Sequence, residues 1–268
     1  MKKVALLSIV LLLVLVIDSC KEEETADNTF KKGLITKVFN GSTINKEIQY
    51  NASDRPEKML LYGTTGYPNG YSAYEFGDDS LVDKIQNYSQ QSQLTGYNTF
   101  LYDTLKRLMT KKYYIMQGSN SKLSFSEAFF YNSSNQLTNF SEFDSTGTVK
   151  YYQILLYDTL DDPSEIKYYS PDNTYAGSLY YTYDNNPNAF AGYNKKLGTI
   201  HPYNKHNIKS ITSSQTPVNG VVTFILGSTT IKVTLYTSTF EYDVNNLPTK
   251  EVRTYQSGTP GTFVYEYK

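Results

Sequence analysis

A polar turn recurs along the chain, each time directly after an aromatic residue and between two runs of apolar and aromatic residues. The aligned aromatic residues are 26, 26, 29, 26 and 26 residues apart; a gap of 59 residues and a last spacing of 25 follow. They are Tyr50, Phe76, Tyr102, Tyr131, Tyr157, Tyr183, Tyr242 and Tyr267. A fixed period of this length indicates a repeat architecture that covers most of the chain.

Each repeat unit has the pattern of a β-hairpin. The stretch STFEYDVNNLPTKEVRTYQ, which begins at Ser238, has two alternating runs around a turn rich in Asp, Asn and Pro. Two strands per unit give roughly fourteen to eighteen antiparallel strands, and an open sheet of that size curls, splits or closes. The predicted fold class is all-β, a long antiparallel meander of repeated hairpins curled into a barrel-like or strongly curved sheet.

Two details of the pattern need the repeat for their interpretation. The tetrad Tyr-Asp-Thr-Leu begins at Tyr102 and again at Tyr157, and 55 residues are two repeat lengths plus three. We therefore predict that the tetrad marks the end of a strand and the start of a turn. The stretch DSLVDKIQNYSQQ, from Asp79, resembles a helix but has the phase of the neighbouring units, so we predict a strand.

The N-terminus has the pattern of a signal peptide over residues 1–19. Lys2 and Lys3 precede an apolar run from Val4 to Ile17. That run is too short to favour a membrane span, and no later stretch approaches the roughly 18 apolar residues that a spanning helix needs.

The sequence VIDSC resembles the lipobox of bacterial lipoproteins, and this resemblance implies that Cys20 is acylated. The residues that follow, Lys21, Glu22 and Glu23, are similar to the surface-export signal of Bacteroidota lipoproteins. The alternative to an acylated Cys20 is an ordinary secreted protein with an unpaired thiol. The alternative to an export signal is a solvated acidic tether. Cys20 is the only cysteine, so burial without disulfides must stabilise the fold.

The sequence divides into a signal peptide, a lipid-anchored acidic tether at 20–33 and a single repeat-built β domain at 34–268, with an irregular insertion at about 185–220. Net charge is −1, and the charges are spread without blocks, so we expect no nucleic-acid partner. With 27 tyrosines and no tryptophan, tyrosine is the principal aromatic residue. Its ring covers a pleated surface while its hydroxyl stays in water.

A family resemblance is carried by YYTYDNNPNAFAGYN from Tyr180, HNIKSI from His206, FEYDVNNLPTKEV from Phe240 and the closing FVYEYK. These motifs resemble a family of Bacteroidota lipoproteins of unknown function whose β domain is described as porin-like. A weaker similarity is to the Tyr-Asp repeats of large secreted proteins. The resemblance implies a barrel-like meander and brings no catalytic residues.

The strand patterns favour a barrel outside the lipid. Membrane strands need an outward apolar band, whereas LSFSEAFFYN and TKEVRTYQ place charges and hydroxyls on either face. We therefore expect a domain held by a lipid tether, in the outer membrane and at the cell surface, with the periplasmic face as the alternative.

Most motifs of catalysis and metal binding are absent from the sequence. It has no Gly-x-Ser-x-Gly, no phosphate-binding glycine loop and no His-Glu-x-x-His, so we expect no cofactor and no metal. A carboxylate pair of the glycosidase type remains open because two acids can converge in space. The candidates are Glu127, Glu142, Glu165 and Glu241, and their other interpretation is solvated charge on a sheet face.

Two further sets of residues are candidate sites. The tripeptide Asp-(Ser/Thr)-x, in which x is an apolar residue or Thr, is similar to the O-glycosylation acceptor of Bacteroidota. The other interpretation is ordinary turn chemistry. It offers Ser80, Thr104, Ser145 and Thr159. The insertion is the expected contact site, or else a structural plug over one barrel mouth. Its candidate ligand contacts are Phe190, Tyr193, His201, Tyr203 and His206.

The function expected from the sequence is a lipid-anchored, surface-exposed, non-catalytic β module that binds a glycan, a peptide or an envelope partner. Its other expected partner is outer-membrane lipid, reached through the acyl group. Two alternatives stay open. One is a hydrolase that acts on polysaccharide or peptidoglycan with a carboxylate pair, and the other is a structural envelope protein without a small ligand.

Overall fold

The computed structural model describes residues 33–63, 66–197, 205–256 and 258–268, apart from the side chains at positions 195 and 196. These residues form eighteen strands and one short helix. The strands of the first half are β1 Ile35–Asn40, β2 Thr43–Tyr50, β3 Pro56–Tyr62, β4 Pro68–Phe76, β5 Val82–Ser89, β6 Leu94–Tyr102, β7 Leu108–Gln117, β8 Asn120–Tyr131 and β9 Leu137–Asp144. Those of the second half are β10 Val149–Tyr157, β11 Pro163–Tyr169, β12 Tyr175–Pro187, β13 His206–Ser213, β14 Val221–Leu226, β15 Thr229–Thr234, β16 Tyr236–Tyr242, β17 Pro248–Tyr255 and β18 Pro260–Tyr267. The helix, α1, is Ala191–Leu197.

Sixteen of the described strands close into one antiparallel barrel. Neighbours along the chain pair with each other, β18 pairs with β1, and β13 pairs with β16. Between β13 and β16, β14 and β15 form a separate two-stranded hairpin. The predicted fold class is therefore confirmed, and the stretch from Asp79 contains strand β5 as expected.

The repeat gives the barrel two different ends. Seven of the eight repeat aromatic residues are the last residue of an even-numbered strand, and Tyr183 lies four residues before the end of β12. The even-numbered barrel strands run in the same direction, so these residues mark one end of the barrel, which we call the aromatic end. The chain enters the barrel at this end and leaves it there, because the backbone N–H of Lys268 donates to the carbonyl of Leu34 at 3.0 Å. Helix α1 follows β12 at the aromatic end, and the β14–β15 hairpin follows β13 at the opposite end.

The inside of the barrel is largely apolar. One cluster of buried side chains spans β7 to β15, with Leu108, Phe129, Leu155 and Leu179 among its members. A second cluster is built from β1, β2, β5, β18 and α1. Burial of these side chains is the main source of stability in a fold without disulfides.

The two departures from the repeat fill space that sixteen strands alone would leave open, since barrels of that size enclose an aqueous channel. From the aromatic end, α1 brings Tyr193 and Leu197 into the second cluster. From the opposite end, β14 brings Phe224 into the first cluster, with its ring stacked on Tyr168 at 4.5 Å. An added Cβ on Gly177 would lie 2.7 Å from the Phe224 ring, so the glycine admits the hairpin.

Much of the outer wall is polar and charged. The residues that alternate with the buried ones include opposed pairs across neighbouring strands, and their side chains face water. Glu241 lies opposite Lys250, with Oε1 and Nζ 2.6 Å apart, and Lys37 lies opposite Glu266 at 3.6 Å. In the part of the chain that the structure describes, no helix has the length and hydropathy needed to cross a membrane.

Candidate functional site

The repeat aromatic residues hold the hairpins together from inside the barrel. Six tyrosine hydroxyls donate to a backbone carbonyl near the start of an earlier strand, at 2.7–2.9 Å. Tyr157, for example, donates to Leu137 at 2.9 Å, and burial raises the pKa of Tyr157 to about 12. These tyrosines therefore link the end of each hairpin to the start of an earlier strand.

The acid of the Tyr-Asp-Thr-Leu tetrad organises the turn that follows. In the first copy, one Asp103 carboxylate oxygen accepts from the backbone N–H groups of Leu105 and Arg107, both at 2.9 Å. In the second copy, Asp158 accepts from Leu160 and Asp162 at 2.8 and 3.0 Å. Hydrogen bonds from the turn, that of the Arg107 amide above all, lower the pKa of Asp103. The tetrad is a hairpin device used twice.

The four acceptor residues of the glycosylation motif are all exposed. Thr104, Ser145 and Thr159 directly follow an acid that caps its own turn, and Ser145 lies at the opposite end from the others. Ser80 differs, since it has a φ of 70° and its hydroxyl accepts from Arg55 at 2.6 Å. Turn chemistry accounts for the acids; the modification itself stays a prediction.

The structure places the insertion's candidate contact residues at different depths. Tyr193 is only 7% exposed, and its hydroxyl lies 2.6 Å from that of Tyr74. Phe190 packs edge-on against Tyr193 and Tyr265, with ring centroids 6.3 and 6.4 Å apart. Both residues serve the barrel's interior. His201 and Tyr203 lie outside the described residues, as do Cys20, Lys21, Glu22 and Glu23.

The remaining candidate, His206, joins the end of the insertion to the turn after β10. Its Nδ1 lies 2.5 Å from the carboxylate of Asp162, which is fully buried and also accepts from the Lys205 backbone N–H at 2.5 Å. Sequence reasoning missed Asp162, because only the fold brings residue 162 next to residue 206. Among the described residues, no group of three or more His, Cys, Asp or Glu side chains is placed to hold a metal ion.

Two of the four candidate carboxylates meet inside the barrel. Glu127 on β8 lies directly opposite Glu142 on β9, and both side chains face the interior. The other two face outward, where Glu165 accepts from Ser178 at 2.6 Å and Glu241 pairs with Lys250. We call the inward group the interior charge cluster; it consists of Lys111, Tyr113, Glu127, Glu142, Lys150 and Tyr151.

Each carboxylate of the interior charge cluster has its own lysine and its own tyrosine. Glu127 accepts from Tyr113 at 2.8 Å and lies 3.7 Å from Lys111. Burial raises the pKa of Glu127, and Lys111 opposes that shift; burial also lowers the pKa of Lys111. Glu142 is paired with Lys150 and accepts from Tyr151 at 3.1 Å. The two lysines thus balance the charge of the two carboxylates, and each carboxylate accepts a hydrogen bond from a tyrosine.

A second buried charge group escaped the sequence analysis. Glu251 is 2% exposed and accepts from Arg253 and Ser238, both at 2.6 Å, and from the Tyr265 hydroxyl. It lines a cavity of about 70 Å³ beside Phe190, large enough for only a few water molecules. The alternation of Glu251 and Arg253 along one strand puts them on one face, but only the barrel shows that this face is inside.

A groove lies at the opposite end, beside the turn between β1 and β2. Its volume is about 320 Å³, and hydroxyl and amide groups form much of its lining. The lining residues are Asn40, Thr43, Ile44, Asn45, Tyr62 and Gly63. Such a groove suits a hydrated polar ligand better than an apolar one.

Comparison with solved structures places the chain among porin-like barrels. A porin-like protein from Bacteroides uniformis ATCC 8492 matches with a TM-score of 0.55 and 11% identity, over 88% of this chain and 98% of that one. A porin-like protein from Bacteroides vulgatus ATCC 8482 has a TM-score of 0.49 and 12% identity, over 88% and 99%. At such identities the first likeness shows the fold alone, and the porin-like barrel implied by the sequence motifs is confirmed.

The other comparisons add no assignment. TcdB2-TccC3 matches with a TM-score of 0.31 and 12% identity, over 80% of this chain and 13% of that one, so the similarity to Tyr-Asp repeats stays a prediction. No family model and no curated protein matches the chain.

Proposed function

We propose that the protein is a lipid-anchored, surface-exposed, non-catalytic β module of the outer membrane that binds a glycan, a peptide or an envelope partner. In this proposal the barrel stands outside the lipid, and acylated Cys20 holds it through the acidic tether at 20–33. The barrel is a scaffold that displays surfaces; it does not conduct solutes.

The observation that carries the proposal is the sidedness of the barrel. A membrane-spanning barrel turns an apolar band outward and polar residues inward. Here the large apolar side chains, such as Phe129 and Leu179, are buried inside, and ion pairs such as Glu241 with Lys250 lie outside. Placing such charges at the middle of a bilayer costs about 2–4 kcal/mol for each lysine, so the wall favours water.

Fractionation of cells that express the wild type or Cys20→Ala tests this function. We expect palmitate-analogue labelling and membrane association only in the wild type, and a soluble Cys20→Ala protein. A Cys20→Ala protein that stays in the membrane after a urea wash would show that the barrel itself is embedded. Equal labelling of both proteins would refute the acyl anchor.

The surface location is tested by replacing Lys21, Glu22 and Glu23 with alanine. We expect this variant to stay lipid-anchored but to become protected from protease added to intact cells. The matched control replaces Thr25, Asp27 and Asn28 in the same tether and should remain accessible. Accessibility of both variants would contradict an export role for the three residues.

A hydrolase is the second candidate, and the face-to-face placement of Glu127 and Glu142 supports it. Most glycoside hydrolases use a pair of Asp or Glu residues that flank the scissile bond. Against it, each carboxylate is engaged by a lysine and a tyrosine. Turnover of polysaccharide or peptidoglycan by the wild type, lost in Glu127→Gln and Glu142→Gln, would replace the non-catalytic proposal. Glycan-array binding without turnover would support that proposal.

A further inference from the structure

Eight equivalent positions on the outer wall, one in each repeat unit, show which residue types the fold accepts at the same place. The residue before each repeat aromatic residue is exposed in all eight units. In five units it is polar: Gln49, Glu75, Thr182, Glu241 and Glu266. In three units it is apolar: Leu101, Phe130 and Leu156. The three apolar residues belong to consecutive units, on β6, β8 and β10, so they share one side of the barrel.

The cross-strand partners change together with these residues. In four of the five polar units the opposite residue is lysine: Lys58, Lys84, Lys250 and Lys37. In the three apolar units the opposite residues are Thr110, Asn139 and Glu165. The lysine pairing that marks the rest of the wall is thus missing from this side.

Neighbouring positions extend the apolar surface. Leu105 and Leu160 occupy the third position of their turns, which Ser53 and Asn245 fill elsewhere. Met109 is the second residue of its strand, where other units are polar. We call these six residues the apolar patch: Leu101, Leu105, Met109, Phe130, Leu156 and Leu160, which are 41–64% exposed.

The apolar patch serves no purpose within the fold. The equivalent units fold in the same way with polar residues at these positions, and the six side chains remain open to solvent. Exposed apolar side chains that are grouped on one side of a protein in this way are typical of an interaction site.

The patch lies at the aromatic end, where the chain enters the barrel at Gly33. Gly33 is thirteen positions after Cys20, and an extended chain of that length reaches about 45 Å at most. An acyl group at Cys20 would attach the chain at the aromatic end, and Leu105 and Leu160 lie in hairpin turns at this same end.

We infer that the apolar patch is a membrane-contacting surface that rests in the interfacial region of the bilayer to which the chain is tethered. This inference rests on the proposed lipid anchor. It fixes the barrel with its aromatic end toward the lipid and with the β14–β15 hairpin and the 320 Å³ groove directed away from it. The surface left for a soluble partner is thus the opposite end.

The first experiment measures the partition of the full mature chain with Cys20→Ser into vesicles of phosphatidylethanolamine and phosphatidylglycerol. The patch variant Leu101→Gln, Phe130→Glu, Leu156→Thr uses residues taken from equivalent units. We expect it to partition about tenfold less than its parent, since apolar contact with lipid is lost. The control variant Tyr67→Ser, Val218→Thr, Ile225→Thr removes side chains that are 70–73% exposed elsewhere and should partition like the parent.

Equal partition of the patch variant and its parent would overturn the inference. So would a patch variant that loses only self-association in solution, because the patch would then be a contact between copies. The outcome is independent of acylation: absence of palmitate labelling would refute the anchor, whereas the vesicle assay uses protein without an acyl group.

The second experiment uses the acylated protein and needs no destabilising change. An NBD fluorophore on Leu105→Cys or Leu160→Cys should be quenched by shallow nitroxide lipids severalfold more than one on Ser53→Cys or Asn245→Cys. Equal quenching at all four turns would refute the orientation. Glycans found by mass spectrometry on Thr104 and Thr159 would also refute it, since they would hold the adjacent leucines out of the lipid.

Discussion

Replacing Phe224 by alanine tests whether the capping hairpin is part of the barrel's core. Phe224 is fully buried, stacks on Tyr168 and fills the space above Gly177. Truncation of a buried phenylalanine costs about 3–5 kcal/mol, and loss of the stacked pair is included in that figure. We expect the upper half of this range, because Tyr168 and Gly177 belong to hydrogen-bonded barrel strands that cannot collapse into the cavity.

For a domain of this size, such a loss lowers the melting temperature by about 10 °C or more. The assay is thermal and urea unfolding followed by near-ultraviolet circular dichroism of the tyrosines, because the chain has no tryptophan. Ile225→Ala is the matched control: Ile225 is adjacent on the same strand but 71% exposed, so its loss should change stability by no more than about 0.5 kcal/mol. Equal effects of the two substitutions would mean that the hairpin contributes nothing to the core.

Three further substitutions test the repeat and the interior. Tyr157→Phe should lower the free energy of unfolding in urea by about 1 kcal/mol, whereas Tyr180→Phe on the outer wall should cause no measurable change. Similar losses for both would mean that the interior hydrogen bond does not stabilise the barrel. Asp158→Ala should also lower the free energy of unfolding by about 1 kcal/mol, and Asp158→Asn should lower it much less. Asparagine forms the equivalent cap in two other units, in one of them at Asn51. An equal cost for both substitutions would mean that the cap does not stabilise the turn. Burial raises the pKa of Glu127, so its favourable contribution is present below its unfolded pKa and is lost as pH rises through the folded value. The stability of Glu127→Gln relative to wild type should therefore increase from pH 4 to pH 7, and a constant difference would contradict the shift.

The repeat made the architecture predictable because turn residues act locally. Asp103 and Asp158 cap the turns in which they stand, and tyrosine precedes each turn by the same spacing, so strand number and connection follow from the sequence. Strong curvature also follows, since so many hairpins in one sheet must curl. The closure of the sheet, through the pairing of β18 with β1, is seen only in the structure.

The side that each strand turns inward could not be predicted, because a register shift interrupts the alternation in almost every hairpin. Between Leu156 and Tyr157, for example, the pairing with β11 slips by one residue. One slip moves every later side chain to the other face. Glu127 and Glu165 are equal candidates for a catalytic carboxylate in the sequence, but in the structure they lie on opposite sides of the wall.

The inward folding of α1 and of the β14–β15 hairpin could not be predicted either, because it depends on contacts between residues that are far apart in the sequence. Phe224 enters because Gly177, 47 positions earlier, has no side chain in its way. The buried pair of Asp162 and His206 likewise forms only when the chain returns from α1 to β13. In the sequence, only the residue types are visible, and nothing indicates that these residues contact each other.

These two insertions bear directly on function. A conducting barrel needs a continuous wet lumen, and sixteen strands would provide one if the repeat were unbroken. This chain breaks the repeat twice, and each break brings large side chains, Tyr193 at one end and Phe224 at the other, into the apolar interior. This apolar burial stabilises the barrel and fills part of the space that an unbroken repeat would leave open. In the proposed orientation, the aromatic end faces the membrane, so the end that carries the β14–β15 hairpin is the one that remains open to a soluble partner.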